Sequence, residues 1–173
     1  MYQADPLIMT VDGVFSPQQC QEFIDFSHQF DYEVAPITIN SKEGQTELRI
    51  DIRNNQRVIY DDVAFAERIY TQVKAFLPED LFEWRVDGLN ERFRFYLYED
   101  GQTFKPHFDG NYEVSDWHSS QLTLLIYLSE DFVGGETKFF NQTRHVPVFS
   151  IQPKMGQILI FQHRQLHSGA PVT

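Results

Sequence analysis

The chain has 173 residues, which is enough for one domain with a substantial core and too few for two domains of ordinary size. Hydrophobic residues make up 42% and phenylalanine alone occurs 16 times, which is typical of a packed protein and excludes a mainly disordered chain. The formal net charge of -11 argues against general binding to nucleic acid or anionic membranes, because phosphate contacts need an excess of Lys and Arg.

Two segments in the first half of the chain have apolar residues at helical spacing, which predicts two helices. The first, "SPQQCQEFIDFSHQF", opens with Ser16 as the N-cap and Pro17 at the first helical position. The second, "DDVAFAERIYTQVKAFL", is stopped by Pro78. The residues that recur at this spacing are Cys20, Phe23, Ile24, Ser27 and Phe30 in the first segment, and Ala66, Ile69, Tyr70, Val73, Phe76 and Leu77 in the second.

From residue 92 onward the period of the hydrophobic pattern changes from helical to two. In "RFRFYLY", Phe93, Phe95 and Leu97 occupy one face of a predicted strand, and arginines and tyrosines occupy the other. The segments "QLTLLIYLS", "GGETKFF", "HVPVFSI" and "GQILIFQH" follow as further short strands between turn residues. Closely spaced strands of this kind predict an antiparallel sandwich or barrel, with the two helices packed against it.

Cysteine usage and the N-terminus bear on the compartment. Cys20 is the one cysteine in the sequence, so it cannot form an intramolecular disulfide, which fits a reducing environment. The N-terminal "MYQADPLIMTVDGVF" lacks the basic start and long apolar run of a secretory signal, and no later stretch approaches the length of a membrane span. We therefore expect a cytoplasmic protein without membrane association.

A histidine and an aspartate two residues apart end the segment "FYLYEDGQTFKPHFDG". In an extended strand residues i and i+2 point the same way, so His107 and Asp109 can present an imidazole and a carboxylate to one point. Among the other five histidines, His167 is the best third ligand, because "GQILIFQHRQLHSGAP" reads as a strand followed by an exposed turn. Two histidines and one carboxylate are typical of non-haem Fe(II) enzymes, whereas structural zinc usually requires more cysteines than this chain has.

Three ordered stretches, "YEDGQTFKPHFDG", "LTLLIYLSEDFVGGETKFF" and "PKMGQILIFQHRQLHSGAPV", resemble the Fe(II)/2-oxoglutarate-dependent dioxygenase superfamily, and within it the prolyl 4-hydroxylase-like group. The resemblance implies a single, mainly β domain, with residues 92–173 as the core of a double-stranded β-helix (jelly roll) and residues 1–91 as a helical support region. It also implies that His107, Asp109 and His167 bind iron.

The resemblance further assigns residues to the co-substrate. By the family pattern, Tyr98 lies where a tyrosine contacts 2-oxoglutarate, and Tyr127 lies where a second hydroxyl reaches its distal carboxylate. Thr123 shares a strand face with Tyr127 by even spacing, so we expect it to line the same pocket. The implied cofactors are Fe(II), 2-oxoglutarate as co-substrate and O2, with ascorbate as reductant.

The implied reaction couples oxidative decarboxylation of 2-oxoglutarate, to succinate and CO2, with hydroxylation of a substrate C–H bond. A prolyl residue in a peptide or protein is the expected substrate, and the same type of site also serves small molecules. Nucleic acid is disfavoured as a substrate by the acidic composition. The sequence does not indicate the oligomeric state.

The chain departs from the family pattern after His167. The family holds the distal carboxylate of 2-oxoglutarate with an Arg or Lys on the following strand, whereas only "SGAPVT" follows here. We expect a truncated sequence whose jelly roll lacks its last strand. The alternatives are another cation, such as Lys138 or Arg94, or loss of co-substrate binding in a non-catalytic metal-binding jelly-roll module. A metallohydrolase is a third class, but no residue is clearly placed as its general base.

Other residues are candidates for substrate contact. The segment "GNYEVSDWHSS" is either a lid that brings Tyr112 and Trp117 to the substrate or a surface loop. Arg53 and Asn54, in "DIRNNQ", also have a candidate role in facing the substrate. We expect the remaining histidines of the second half, His118, His145 and His163, to be surface or packing residues.

Overall fold

The computed structural model describes residues 7–40, 45–141 and 146–173. This described part is mainly β, with two α-helices, α1 (Pro17–Ser27) and α2 (Val63–Val73), and a 3-10 turn at Lys74–Phe76. Its strands are β1 (Ile8–Val11), β2 (Glu33–Val34), β3 (Ile37–Asn40), β4 (Gln45–Glu47), β5 (Gln56–Asp61), β6 (Asp80–Leu81), β7 (Trp84–Arg85), β8 (Arg92–Leu97), β9 (Phe104–His107), β10 (Glu113–Ser115), β11 (His118–Ser119), β12 (Leu122–Ile126), β13 (Thr137–Phe140), β14 (Pro147–Ile151), β15 (Ile158–Gln162) and β16 (His167–Gly169).

Both predicted helices are confirmed, and side-chain caps explain where they begin. The Ser16 hydroxyl accepts from the Gln19 N–H at 3.2 Å, and the Gln19 side chain accepts from the Ser16 N–H at 2.9 Å, which is a complete capping box. The Asp62 carboxylate accepts from the Phe65 N–H at 2.7 Å and caps α2 in the same way. The first helix ends at Ser27, so the prediction that it reaches Phe30 is wrong.

The strands form two facing layers that frame a jelly roll. One layer is the four-stranded sheet β14-β13-β16-β9, and the other contains the three-stranded sheet β1-β15-β12, with all pairings antiparallel. Between them lie Phe139, Leu159 and Phe161, which form a buried cluster. The predicted jelly roll is therefore confirmed, whereas the expected lack of a last strand stays a prediction.

Strand β15 lies at the centre of the molecule and is covered on both faces. Leu159 and Phe161 point toward the four-stranded sheet, and Ile158 and Ile160 point toward the helices, where they join a second core cluster. None of these four side chains has measurable exposure to solvent. Burial on both faces explains why the strand reads as a continuous apolar run rather than an alternating one.

The first 91 residues contribute more than helical support. Strand β5 pairs with β8 over six residues, with Val58 opposite Phe95, and β2 extends this third sheet. The helices cover this sheet through an aromatic cluster in which the Phe65 and Phe93 rings meet edge to face at 4.5 Å. The N-terminal region thus supplies both strands and helices to the structure that holds the jelly roll.

Two further observations concern earlier expectations. Neither helix in the described ranges combines the length and apolar character needed to cross a bilayer. Among the histidines expected to be surface or packing residues, His118 has a 59% exposed side chain near Asp87 and His163 is partly buried, whereas His145 lies outside the described residues.

Candidate metal centre

The two histidines of the predicted metal site lie on neighbouring strands. His107 ends β9 and His167 begins β16, and the antiparallel register makes them direct partners across the two strands. Cross-strand partners have their side chains on the same face of the sheet, so their rings meet, with centroids 4.2 Å apart. Pairing of two strands some 60 residues apart in sequence therefore joins ligands that no local pattern connects.

Asp109 completes a cluster of three donor groups. It follows β9, and its backbone N–H donates to the carbonyl of His163 at 3.2 Å, which fixes the chain where β9 ends. The Asp109 carboxylate lies 3.7 Å from the Nε2 atom of His107 and 3.7 Å from that of His167. All three donor atoms lie within 4.8 Å of one another. Metal–ligand bonds of about 2.1 Å hold cis ligand atoms about 3.0 Å apart, so the observed 3.7 Å separations are slightly wider than those around one bound ion.

Backbone carbonyls orient both imidazoles toward this point. The Nδ1 atom of His107 lies 2.8 Å from the carbonyl of Lys105, and that of His167 lies 2.9 Å from the carbonyl of Gln165. A carbonyl only accepts, so each Nδ1 carries the proton and each Nε2 keeps a free lone pair. Metal-binding histidines use this arrangement, since the bond from the distal nitrogen fixes the tautomer and the ring orientation.

Burial keeps the first histidine neutral. Burial and, second to it, the neighbouring His167 lower the pKa of the His107 imidazole to about 4, while the bond to Lys105 and the charge of Asp109 oppose the shift. The imidazole of His107 is therefore unprotonated at neutral pH, as a metal ligand must be.

Thr123 lies in the site, but its hydroxyl contacts the candidate ligand Asp109. Its Oγ1 donates to Oδ2 of Asp109 at 2.6 Å. The predicted strand face is confirmed, because Leu125 and Tyr127 join the cluster between the sheets, whereas Leu124 and Ile126 join the cluster beside the helices. The hydroxyl thus holds one carboxylate oxygen and fixes the orientation of the group.

The two predicted co-substrate tyrosines are both largely buried near these groups. A Cβ at Gly169, two residues after His167, would lie 3.5 Å from the Tyr98 hydroxyl, so Tyr98 lies over β16. The Tyr127 hydroxyl lies 2.7 Å from Oγ1 of Thr137. Burial raises the pKa of Tyr127 to about 12 and that of Tyr98 well above its ordinary range, so both hydroxyls stay protonated and can donate to a ligand.

Aromatic rings enclose the candidate ligands. The ring of Phe104 stacks on His107 with centroids 3.5 Å apart and planes at 15°, and Phe161 meets His167 edge to face at 4.6 Å. Each ring packs against one imidazole and holds its plane. Their role was missed at the sequence level because an aromatic residue in a β core is most often simple packing.

The two alternative cations lie away from the centre. Thr137 and Phe139 of β13 are buried on the face toward Tyr127 and His167, so Lys138 between them points to the opposite face, with Nζ 4.0 Å from Glu136. Arg94 is on the exposed face of β8. The side chain of Asn54 accepts from the Thr103 N–H at 2.8 Å through its Oδ1 atom, and its role toward a substrate stays a prediction.

The fold and the cluster define a class of protein, the jelly rolls that carry two histidines and one carboxylate at one site. Comparison with known proteins agrees with this class. Residues 93–173 match the family model of the 2OG-Fe(II) oxygenase superfamily. The sequence is also 32% identical over 97 residues to "Probable prolyl 4-hydroxylase 11" of Arabidopsis thaliana. That alignment covers 55% of this chain and 32% of the plant protein, so the chain spans about a third of the length of this relative.

Solved structures show the same fold over nearly the whole chain. A prolyl-4-hydroxylase from Pseudomonas putida aligns with a TM-score of 0.67 at 18% identity, over 97% of this chain and 87% of that one. A viral collagen prolyl hydroxylase from Paramecium Bursaria Chlorella virus-1 aligns with a TM-score of 0.61 at 22% identity, over 96% and 88% of the two chains. Together, these comparisons show a segment similar to the 2OG-Fe(II) oxygenase superfamily over residues 93–173 and a fold shared with two solved prolyl hydroxylases.

Proposed function

We propose that this protein is a non-haem Fe(II) oxygenase that couples the decarboxylation of 2-oxoglutarate to hydroxylation of a prolyl residue in a peptide or protein. One observation carries the proposal. Two imidazoles with free Nε2 lone pairs and one carboxylate converge on a single point, and both imidazoles are locked by backbone carbonyls. Three protein ligands on one side of an ion leave positions for a chelating co-substrate and O2.

His107, Asp109 and His167 are the proposed iron ligands. When bound, iron supplies the activation of O2 that no amino-acid side chain can perform, with ascorbate as the proposed reductant. The chain's own residues fix the geometry: Thr123 holds one oxygen of the Asp109 carboxylate. The aromatic rings beside the imidazoles hold their planes.

Tyr98 and Tyr127 are the proposed contacts of 2-oxoglutarate. A tyrosine hydroxyl is protonated at neutral pH, and burial raises the pKa of both groups further, so each can donate a hydrogen bond to a carboxylate oxygen. The Tyr127 hydroxyl lies 2.7 Å from Oγ1 of Thr137, and when Thr137 is the donor of that bond the Tyr127 proton is available to the co-substrate.

The hairpin β10–β11 is the proposed substrate-binding element. It follows Asp109 directly and exposes apolar side chains, with Trp117 88% and Val114 59% accessible. Its base is tied by the Tyr112 N–H, which donates to the Ser120 hydroxyl at 2.8 Å. Exposed aromatic and aliphatic side chains beside a site are suited to gripping an extended peptide.

The test is turnover of 2-oxoglutarate by the purified full-length protein with Fe(II), ascorbate and O2. We expect succinate to form, and proline-containing peptides to increase its rate and to gain one oxygen atom by mass spectrometry. The matched control is His107→Ala, which removes one proposed ligand from the site.

Equal succinate formation by the wild-type protein and His107→Ala would refute the proposal. Anaerobic titration of 2-oxoglutarate into the Fe(II)-loaded protein separates the two remaining cases. A charge-transfer absorption band without turnover indicates that 2-oxoglutarate binds but that the peptide tested is not the substrate. The absence of both the band and turnover indicates a metal-binding module that does not use 2-oxoglutarate.

A further inference from the structure

Arg53 is a buried cation held between two aromatic rings. Arg53 is only 5% exposed to solvent. Its guanidinium carbon lies 4.4 Å from the centre of the Tyr96 ring and 4.3 Å from the centre of the Phe104 ring. The backbone of Arg53 pairs with Phe104 along the outer edge of β9, and the Lys105 N–H donates to the Ile52 carbonyl at 2.9 Å. The fold therefore fixes this charge beside the strand that ends in His107.

The hydrogen-bonding capacity of this guanidinium is incompletely used. Its Nε donates to Oδ1 of Asn55 at 2.8 Å, but Nη2 is buried and has no hydrogen-bond partner in the part of the chain that the structure describes. Nor does Arg53 form an ion pair with any described carboxylate, whereas Arg57 pairs with Glu33 and Arg92 with Asp61. A buried charge without a counter-charge is costly, so its presence points to a ligand that completes it.

The unpaired group lies next to the candidate metal centre. The Phe104 ring has His107 stacked on one face at 3.5 Å, so Arg53 lies over the other face, and a single ring separates the guanidinium from the imidazole. Burial dominates the shifted pKa values of Tyr98 and His107, and the charge of Arg53 also acts on both groups. Arg53 is thus within electrostatic reach of both the metal side and the co-substrate side of the site.

We propose that Arg53 is a carboxylate-binding residue of this centre, whose Nη2 donates a hydrogen bond to an oxygen of a carboxylate ligand bound beside His107. The inference rests on the proposed function, because that function brings a dicarboxylic co-substrate to the site. An arginine is suited to the task, because its charge is permanent and its planar N–H groups match a carboxylate. Two sources can supply this chemistry: the distal carboxylate of 2-oxoglutarate, or an acidic group of the peptide substrate.

Access to Nη2 requires one of the two rings to move. Phe104 is held by the imidazole stacked on it, whereas Tyr96 is 38% exposed and has room to rotate. The ligand carboxylate therefore displaces the Tyr96 ring from the guanidinium and replaces a cation–π contact with a charge-assisted hydrogen bond.

The experiment measures ligand binding without turnover. Protein loaded with Co(II) under anaerobic conditions is titrated calorimetrically with 2-oxoglutarate, and with 2-oxobutanoate, which lacks the distal carboxylate. A second titration compares a proline-containing peptide that carries an acidic residue with the same peptide carrying the corresponding amide. The variants are Arg53→Gln and Arg53→Lys, and the matched control is Arg49→Gln, which removes a charge from an exposed arginine of the same loop that pairs with Asp51.

If the carboxylate belongs to 2-oxoglutarate, Arg53→Gln lowers the affinity for 2-oxoglutarate about 10- to 100-fold, to the affinity for 2-oxobutanoate. The affinity of Arg53→Lys for 2-oxoglutarate falls between those of Arg53→Gln and the wild type. If the substrate is the source, the same loss appears for the acidic peptide and not for its amide. In both cases, the Arg49→Gln control binds every ligand with wild-type affinity, and the Co(II) affinity of all variants stays at the wild-type value. Unchanged binding of both carboxylate ligands by Arg53→Gln would overturn the inference, as would absence of carboxylate binding in the wild type.

Two results keep the inference separate from the proposed function. Arg53-dependent carboxylate binding without succinate formation would leave the carboxylate site standing and refute the oxygenase. Turnover by Arg53→Gln with wild-type KM values for 2-oxoglutarate and peptide would support the oxygenase and refute the carboxylate-binding role of Arg53. If Arg53→Gln does not fold, Arg53→Lys decides alone, and wild-type affinity for both ligands in that variant would overturn the inference.

Discussion

The two faces of the sheet β1-β15-β12 differ although the same strands build both. The face toward the helices carries mostly apolar side chains from β12 and β15, such as Leu124 and Ile160, which lie in one core cluster with Phe65. The face toward the four-stranded sheet places Thr123 and Phe161 beside the candidate metal ligands. One rigid layer thus supports a dry core on one side and a polar site on the other.

The two sides also differ in whether their buried polar groups have hydrogen-bond partners within the protein. On the helix side, the buried hydroxyl of Ser27 donates to the Ile24 carbonyl at 2.8 Å, so folding alone satisfies it. On the other side, the Nε2 atoms of the two histidines and Nη2 of Arg53 have no hydrogen-bond partner among the described residues, and a bound ligand is their proposed partner. The helix side is therefore built for stability, and the metal side holds groups that only a bound ligand completes.

Removing a proposed metal ligand should abolish metal binding and leave the stability contributed by the helix side nearly unchanged. We expect His167→Ala to abolish saturable binding of Co(II), because it deletes one of three donors, while the free energy of unfolding of the metal-free protein changes far less. Calorimetry for the metal and urea unfolding for stability check both parts. The control is His118→Ala, on the exposed surface. Wild-type Co(II) affinity in His167→Ala would remove this residue from the site.

Truncating the centre of the helix-side cluster should give the opposite result. Phe65 is 8% exposed, and its ring contacts Phe23, Phe26, Tyr60 and Phe93. We expect Phe65→Ala to lower the free energy of unfolding by about 3–5 kcal/mol, with unchanged Co(II) affinity in the folded fraction.

The control for this truncation is Phe82→Ala, which removes the same ring from a residue that is 75% exposed. We expect little change in the free energy of unfolding for this variant. A loss of Co(II) affinity in folded Phe65→Ala, comparable to that in His167→Ala, would show that the two faces are not independent.

Acid should lower the free energy of unfolding of the metal-free protein through the buried imidazole of His107. Burial lowers the pKa of His107 to about 4, from an ordinary value of 6.5, so the unfolded chain binds the proton more tightly than the folded one. Stability from this group is complete above pH 6.5 and falls by on the order of 3 kcal/mol as the pH drops toward 4.

This prediction is checked by urea unfolding at several pH values. The control is His107→Gln, which has no titrating imidazole and should lose less stability across the same interval. Parallel profiles for the wild type and His107→Gln would contradict the predicted burial of a neutral imidazole.

The smallest predicted effect concerns the hydroxyl that holds Asp109. Thr123→Val keeps the shape of the side chain but deletes the donor at 2.6 Å from Oδ2, so we expect Co(II) affinity to fall about 10- to 100-fold. Thr123→Ser retains the hydroxyl and should stay near wild type. Equal affinities for Val and Ser variants would assign Thr123 to packing alone.

Much of the fold followed from local patterns. The cap at Ser16, the start of α2 and the alternation in β8 rest on neighbouring residues, and the structure confirms each of them. The pairing of β5 with β8 was not predicted, because register between strands separated by a helix depends on tertiary packing. The overextension of α1 to Phe30 has a similar cause, since that ring packs on Phe26 from outside the helix.

The candidate site was predicted in part. His107, Asp109 and His167 were identified from strand spacing and motif order, and the structure brings their donor atoms together. The carbonyls of Lys105 and Gln165 could not be predicted, because every residue carries a backbone carbonyl and only the fold decides which one meets an imidazole. Thr123 was assigned to the right strand face, but its contact with Asp109 was missed.

The sequence by itself determined the two helices, the strands β8, β12, β13, β14 and β15, and the shared strand face of His107 and Asp109, because each depends on the fixed periods of helix and strand. Only the tertiary structure decided that His167 lies opposite His107, and that Arg53 is buried beside Phe104 with Nη2 unpaired. Those relations arise from strand pairing across long stretches of chain, where the burial of shared apolar surface, rather than local preference, selects the register.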